Sequence, residues 1–257
     1  MATDPIKQTV LNRDWIATQM ARRMGPPAVD ELRDLTKHDD RQIRILALTC
    51  IEEAGGPKAA DAMVEPLLDG DVQVRATAVR GLYKFPNPAL YARLLEQFDK
   101  SEDPHVRLNV PMIIALNDEK IVDQNPLIER YDKEEDEAAH EGLTVGLARL
   151  GYAPARREFV QRLHNSGGSV LDRYLSHCEY IHQDWVAKAL SPVLRDPTKL
   201  RYIGPHGRDV NLRACDIAVN IIGKLLGRRF PFKTEPAVNY PDERLAEIRK
   251  FVDGLPE

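Results

Sequence analysis

Cys178 and His182 stand four residues apart, a spacing that puts two side chains on one helical face, where they could share zinc or copper. A tetrahedral site needs two more ligands. His164 and Asp172 are near in sequence, but nothing in their spacing makes them converge. The tract His177-Cys178-Glu179 therefore reads as a half-buried helix end with a core cysteine. His140-Glu141 is the second pair of metal-capable side chains. A third candidate is Gly204-Pro205-His206-Gly207-Arg208-Asp209, a glycine-bearing loop ahead of a helix start that could cradle an anion, though a loop between helix pairs explains it equally well. Nucleophilic and phosphate chemistry lack their signatures. There is no GxSxG elbow, since Ser166-Gly167-Gly168-Ser169 is a turn before a helix, and no GxxxxGK[ST] loop. No catalytic residue, metal or cofactor is assigned on this reading, and the chain is taken not to be an enzyme.

These residues need elements to position them, and a repeat supplies the elements. The segments starting at Asp39, Gly70 and Glu102 place Arg44, Arg75 and Arg107 directly after Ile or Val, and a fourth starting at Asp136 places His140 at the same point. The steps are 31, 32 and 33 residues. A fainter copy surrounds Arg213. Each unit reads as two helices. In the second, Asp71 is an N-cap, and Val72, Ala76, Val79 and Leu82 build one apolar face. The tract Phe85-Pro86-Asn87-Pro88 stops that helix, because proline has no N–H to donate. Leu90, Leu94, Leu95 and Phe98 then form the face of a second helix. Helices are expected over 11–24, 27–37, 41–54, 57–68, 72–84, 88–98, 105–116, 120–131, 135–150, 154–164, 169–181, 183–194, 210–226 and 241–253. Loops are expected over 196–208 and 228–241, and strand alternation is not sustained anywhere.

The pattern D-x-x-V/I-R-x-x-A/L, carried by Asp40…Ile43-Arg44…Ala47, Asp71…Val74-Arg75…Ala78 and Asp103…Val106-Arg107…Val110, resembles HEAT repeats of the short bacterial kind. The resemblance covers about 39–164. It implies an all-α, right-handed α-solenoid of about seven stacked antiparallel helix pairs, a single domain over 1–257 with an atypical capping unit at about 196–257. There Phe230-Pro231-Phe232 is expected to fold over the last helix pair. In the family the aspartates and arginines tie neighbouring repeats together, which implies a structural ladder of Asp40, Arg44, Asp71, Arg75, Asp103 and Arg107. His140-Glu141 is similar to the iron-binding dipeptide of deoxyhypusine hydroxylases. That chemistry needs several such pairs, and Arg44-Ile45, Arg75-Ala76 and Arg107-Leu108 occupy the equivalent positions here, so a variant rung is expected instead.

Composition bounds the function. The chain has 257 residues, a formal net charge of −4 and 43% hydrophobic residues, within the globular range. The absence of a signal sequence and of a long apolar run, together with three isolated cysteines, leads to the expectation of a cytoplasmic protein with no membrane partner. The charge is unevenly spread. Residues 117–141 hold ten acidic and three basic side chains, whereas 182–233 hold ten basic and four acidic ones, interleaved with Trp185, Tyr202, Phe230 and Phe232. The candidate binding surface is accordingly Lys188, Arg195, Lys199, Arg201, Tyr202, His206, Arg208, Arg228 and Arg229. A second candidate surface is the second-helix face of the repeats, with Tyr91, Arg93, Gln97, Arg130 and Arg157. The expected function is a non-catalytic scaffold or adaptor for a protein or peptide. The alternatives are a phycobilin-lyase-like enzyme and a nucleic-acid binder using the basic third, with nucleic acid ranked below protein.

Overall fold

The computed structural model describes residues 5–117, 119–203 and 210–255. Contacts within the chain group it into two compact units, Met1–Leu150 and Gly151–Glu257. The first contains α1 (Pro5–Leu11), α2 (Ile16–Met24), α3 (Pro27–Leu32), α4 (Arg41–Ala54), α5 (Pro57–Ala62), α6 (Val72–Lys84), α7 (Tyr91–Lys100), α8 (Pro104–Ile114), α9 (Asn125–Tyr131) and α10 (Glu137–Arg149). The second contains α11 (Ala153–Asn165), α12 (Gly168–Ile181), α13 (Asp184–Ala189), β1 (Lys199–Ile203), β2 (Val210–Arg213), α14 (Ala214–Leu226) and α15 (Asp242–Asp253). No helix among the described residues is long and apolar enough to cross a membrane.

The repeat aspartates start their helices. Asp40 accepts from Gln42 N, Asp71 from Gln73 N and Val74 N, Asp103 from His105 N and Val106 N, and Asp136 from Ala139 N. Each satisfies donors that the first helical turn leaves without an intrahelical partner. Behind the caps, apolar residues recur at helical spacing. In α4 the buried set includes Ile43, Leu46, Ala47, Cys50, Ile51 and Ala54. The chain leaves α4 through Gly55 (φ 75°) and Gly56 (φ 84°), a left-handed pair that side chains disfavour.

α8 and α10 approach each other closely. A Cβ at Gly142 would lie 2.2 Å from the carbonyl oxygen of Leu108, and one at Gly146 would lie 2.8 Å from that of Pro111. Two glycines four residues apart thus let α10 rest on the backbone of α8.

Several second helices are shorter than the periodicity predicts. The segment 57–68 is α5 followed by a 3₁₀ turn at Glu65–Leu68, and 183–194 is α13 followed by one at Pro192–Arg195. Pro66 and Pro192 explain both breaks, because neither can donate the N–H that an α-helix requires. The segment 120–131 is helical only from Asn125.

One expectation of the sequence reading is corrected. The segment 196–208 is not merely a loop, and 210–213 is not helix. Lys199–Ile203 pairs antiparallel with Val210–Arg213, with Tyr202 opposite Asn211 and Ile203 opposite Val210. The strands are five and four residues long, too short for their alternation to stand out from neighbouring helical periods. Pairing and the burial of Leu212 decide the outcome.

The end of the second unit is held by Asp216, which is fully buried. Its carboxylate accepts from Arg213 N at 3.1 Å, Arg213 Nε at 2.8 Å and Tyr240 N at 2.9 Å. Phe230 and Phe232 each meet Phe251 of α15 edge-on, with ring centroids 5.9 Å apart.

Candidate functional site

The site is a groove in the second unit, and two helical stripes build its walls. Along α11, Ala155, Phe159 and Leu163 are buried, which turns Arg157, Val160 and His164 to the opposite side at i, i+3 and i+7. Along α13 and the turn after it, Val186, Ala187 and Ala189 are buried, and Trp185, Lys188 and Pro192 repeat the same spacing. Ala189, Ser191, Arg195 and Asp253 complete the lining of a cavity of about 760 Å³. That is the size range of sites that hold a ligand or a few side chains of a partner.

Internal bonds fix the walls. His164 Nε2 donates to the carbonyl of Ala189 at 2.8 Å, linking α11 to the end of α13. Ser191 Oγ donates to Asp253, and Lys188 Nζ reaches the carbonyl of Leu255 at 3.3 Å. The indole of Trp185 stands edge-on to Phe159 at 6.0 Å, and the Arg156 guanidinium covers its ring at 5.4 Å. Among the described residues Trp185 Nε1 is buried without an acceptor. The floor is therefore apolar and held by these contacts, and cationic side chains sit on the rim.

The basic surface expected from sequence divides into two groups. Arg201 pairs with Asp172, and Arg229 with Asp184 at 2.6 Å, so both charges are locally balanced. Lys224 pairs with Glu179 at 2.6 Å, and Arg213 with Asp216 at 2.8 Å. Lys188 and Arg195 line the groove instead. Lys199 and Tyr202 lie exposed on β1, and Arg228 is exposed after α14. His206 and Arg208, with the whole loop 204–209, lie outside the described residues.

The second-helix candidates of the first unit have internal partners. The Tyr91 hydroxyl donates to the carbonyl of Asp123, Arg93 pairs with Asp61, and Arg130 Nε donates to Asp99 at 2.8 Å. Gln97, read as exposed, is buried. Arg157 differs from these four. It is exposed and on the groove.

The ladder residues stand as follows. Arg44 donates to Asp69 Oδ1 at 2.9 Å, Arg75 Nε to Asp103 Oδ2 at 2.9 Å, and Arg107 to Glu134 Oε2 at 2.6 Å. Asp40 pairs with Arg13, and Asp71 lies 3.2 Å from Arg41. Sequence reasoning missed Asp69 and Glu134. Both lie two residues before a capping aspartate and also accept that aspartate's backbone N–H, at 2.8 and 3.0 Å. His38 and Ser101 hold the same position and accept from Asp40 N and Asp103 N. This second repeating acceptor was readable, although its residue type changes at each turn.

Metal chemistry gains no geometry. Among the described residues, no group of three or more His, Cys, Asp or Glu side chains could hold an ion. His182 is the left-handed cap of α12, and its N–H donates to the carbonyl of Cys178. Burial raises the Cys178 thiol far above its ordinary range, and it pushes Cys50 up to about 12, so neither offers a thiolate. His140 stacks on Tyr131, with ring centroids 4.9 Å apart.

No protein-family model matches the chain, and no curated protein matches it. A solved structure of human deoxyhypusine hydroxylase in complex with glycerol aligns over 97% of this chain and 94% of that chain, at 14% identity and a TM-score of 0.38. That likeness is compatible with a HEAT-like helical architecture. One expectation is nevertheless corrected by it. The neighbour is an enzyme, and fold alone does not decide function, so the expectation that this chain is not an enzyme does not stand.

Proposed function

We propose that the chain is a binding scaffold that seats part of a protein partner in the groove between α11 and α13. In this reading the helices form a right-handed HEAT-like solenoid of about seven pairs. The observation that carries it is the groove itself, about 760 Å³ with an apolar floor at Val160, Trp185 and Pro192. Pockets of this make-up bind side chains by removing apolar surface from water. The first unit offers less, because Arg93 and Arg130 are spent on Asp61 and Asp99. Nucleic acid is the weaker reading, because four basic side chains of the C-terminal third already face carboxylates. A contiguous phosphate-binding track needs such charges free.

The test compares proteins retained from a cell extract by the wild-type chain and by Val160→Asp, with circular dichroism confirming that both are folded. The reading expects a partner held by the wild type and lost by the variant. An identical set of retained proteins would overturn it.

A further inference from the structure

Arg157 and Arg195 are the two exposed groove cations with no carboxylate or hydrogen-bond partner among the described residues, in a unit where Arg201, Arg213, Lys224 and Arg229 all have one. They come from different elements, Arg157 from the middle of α11 and Arg195 from the end of the 3₁₀ turn after α13. Val160, Trp185 and Pro192 line the same cavity. Two guanidiniums beside an apolar floor call for a complementary ligand with an apolar centre and anionic flanks. Guanidinium suits this task, since its planar fork meets a carboxylate with two parallel bonds.

Resting on the proposed binding role, we infer that the groove's occupant is an acidic peptide segment, with one large apolar side chain entering the cavity between carboxylates that face Arg157 and Arg195. A peptide is favoured over a free amphipathic acid because the cations lie on two separate elements, and a single carboxylate engages one of them. Lys188 and Asp253 are tied to Leu255 and Ser191, so the floor is shaped before the peptide arrives and little ordering cost falls on the protein.

The experiment uses the full chain and a library of acetylated ten-residue peptides in which one Leu, Phe or Trp is flanked by Glu, with a matched library carrying Gln for Glu. Fluorescence anisotropy is read at about 50 and about 200 mM salt, the range over which charge contacts are screened. The expected result is a Glu peptide bound at least about tenfold more tightly than its Gln counterpart, with the gap narrowing at high salt. The double variant R157Q/R195Q should abolish the gap and leave the Gln peptides unchanged. Equal affinity of Glu and Gln peptides, a gap that survives in R157Q/R195Q, or preference for dodecanoate over every peptide would each overturn the inference. Failure of both libraries while Val160→Asp still releases the partner would overturn the acidic occupant and leave the binding role standing. Binding of the Glu peptides while Val160→Asp keeps its partner would overturn the binding role.

Discussion

The Arg75 guanidinium rests on the carboxylate of Asp103, 28 residues later, and that same carboxylate caps α8 through the N–H groups of His105 and Val106. Both side chains are largely buried, at 18% and 16% exposure. One aspartate therefore begins α8 and joins it to α6, the first helix of the preceding repeat. Burial alone would raise the Asp103 carboxyl, but the two N–H groups and Arg75 outweigh it and hold the group below its ordinary value.

Asp103→Ala removes both roles, and Asp103→Asn keeps the cap and loses the charge. The expected costs are about 3 kcal/mol for alanine and roughly half that for asparagine, measured by urea unfolding. A double-mutant cycle with Arg75→Ala should show coupling of about 1 kcal/mol or more. Additive effects would mean that the ion pair contributes nothing.

Gly142→Ala should be among the most damaging small substitutions in the first unit. Its Cβ would sit 2.2 Å from a backbone oxygen, which no rotamer change relieves. The expected loss is about 3 kcal/mol or outright failure to fold. Gly167→Ala is the control, because nothing lies within 4 Å of its Cβ, and it should stay within about 0.5 kcal/mol of wild type.

Glu52 gives a pH signature. It is buried, which raises its carboxyl, but hydrogen bonds from Arg80 and Lys84 dominate and the net shift is downward. A carboxyl lowered in the folded state stabilises fully above its unfolded value of about 4.3, and that contribution disappears as pH falls through the lower folded value. The wild type should therefore exceed Glu52→Gln most clearly between about pH 6 and 7 and lose that margin below about pH 4. The margin should be about 1–2 kcal/mol, discounted because Arg80 and Lys84 are half exposed. Chemical denaturation at several pH values reads the difference directly.

Asp216 holds the end of the second unit. Asp216→Ala strands Arg213 and the N–H of Tyr240, and about 3–5 kcal/mol of local stability should be lost. Tyr240→Phe removes the hydroxyl that donates to Asn220 at 3.0 Å and accepts from Glu235 N at 2.8 Å, and should cost about 1–2 kcal/mol. Limited proteolysis between residues 227 and 241 reports both, with rapid cleavage expected for Asp216→Ala and a smaller increase for Tyr240→Phe, which frees Glu235 N.

The helices of the repeat were legible because Asp40, Asp71 and Asp103 announce each start and the apolar residues behind them keep a helical period. The short hairpin was not, since Lys199–Ile203 and Val210–Arg213 offer too few alternations to compete with the pattern of α14. The groove was half legible. Lys188 and Arg195 entered with the basic segment, and Arg157 with the second-helix face. Their meeting depends on α11 lying against α13, a packing relation that no local spacing encodes. Total charge also misled, because Arg201 and Arg229 read as free until Asp172 and Asp184 appear opposite them.

The central claim is that the groove between α11 and α13 is the binding surface, and hydrogen–deuterium exchange of the chain with and without its retained partner tests it most directly. The account predicts new protection over 157–164 and 185–195, with α7 and α9 unchanged. Protection confined to α5, α7 and α9 of the first unit, with the groove helices unaffected, would contradict it.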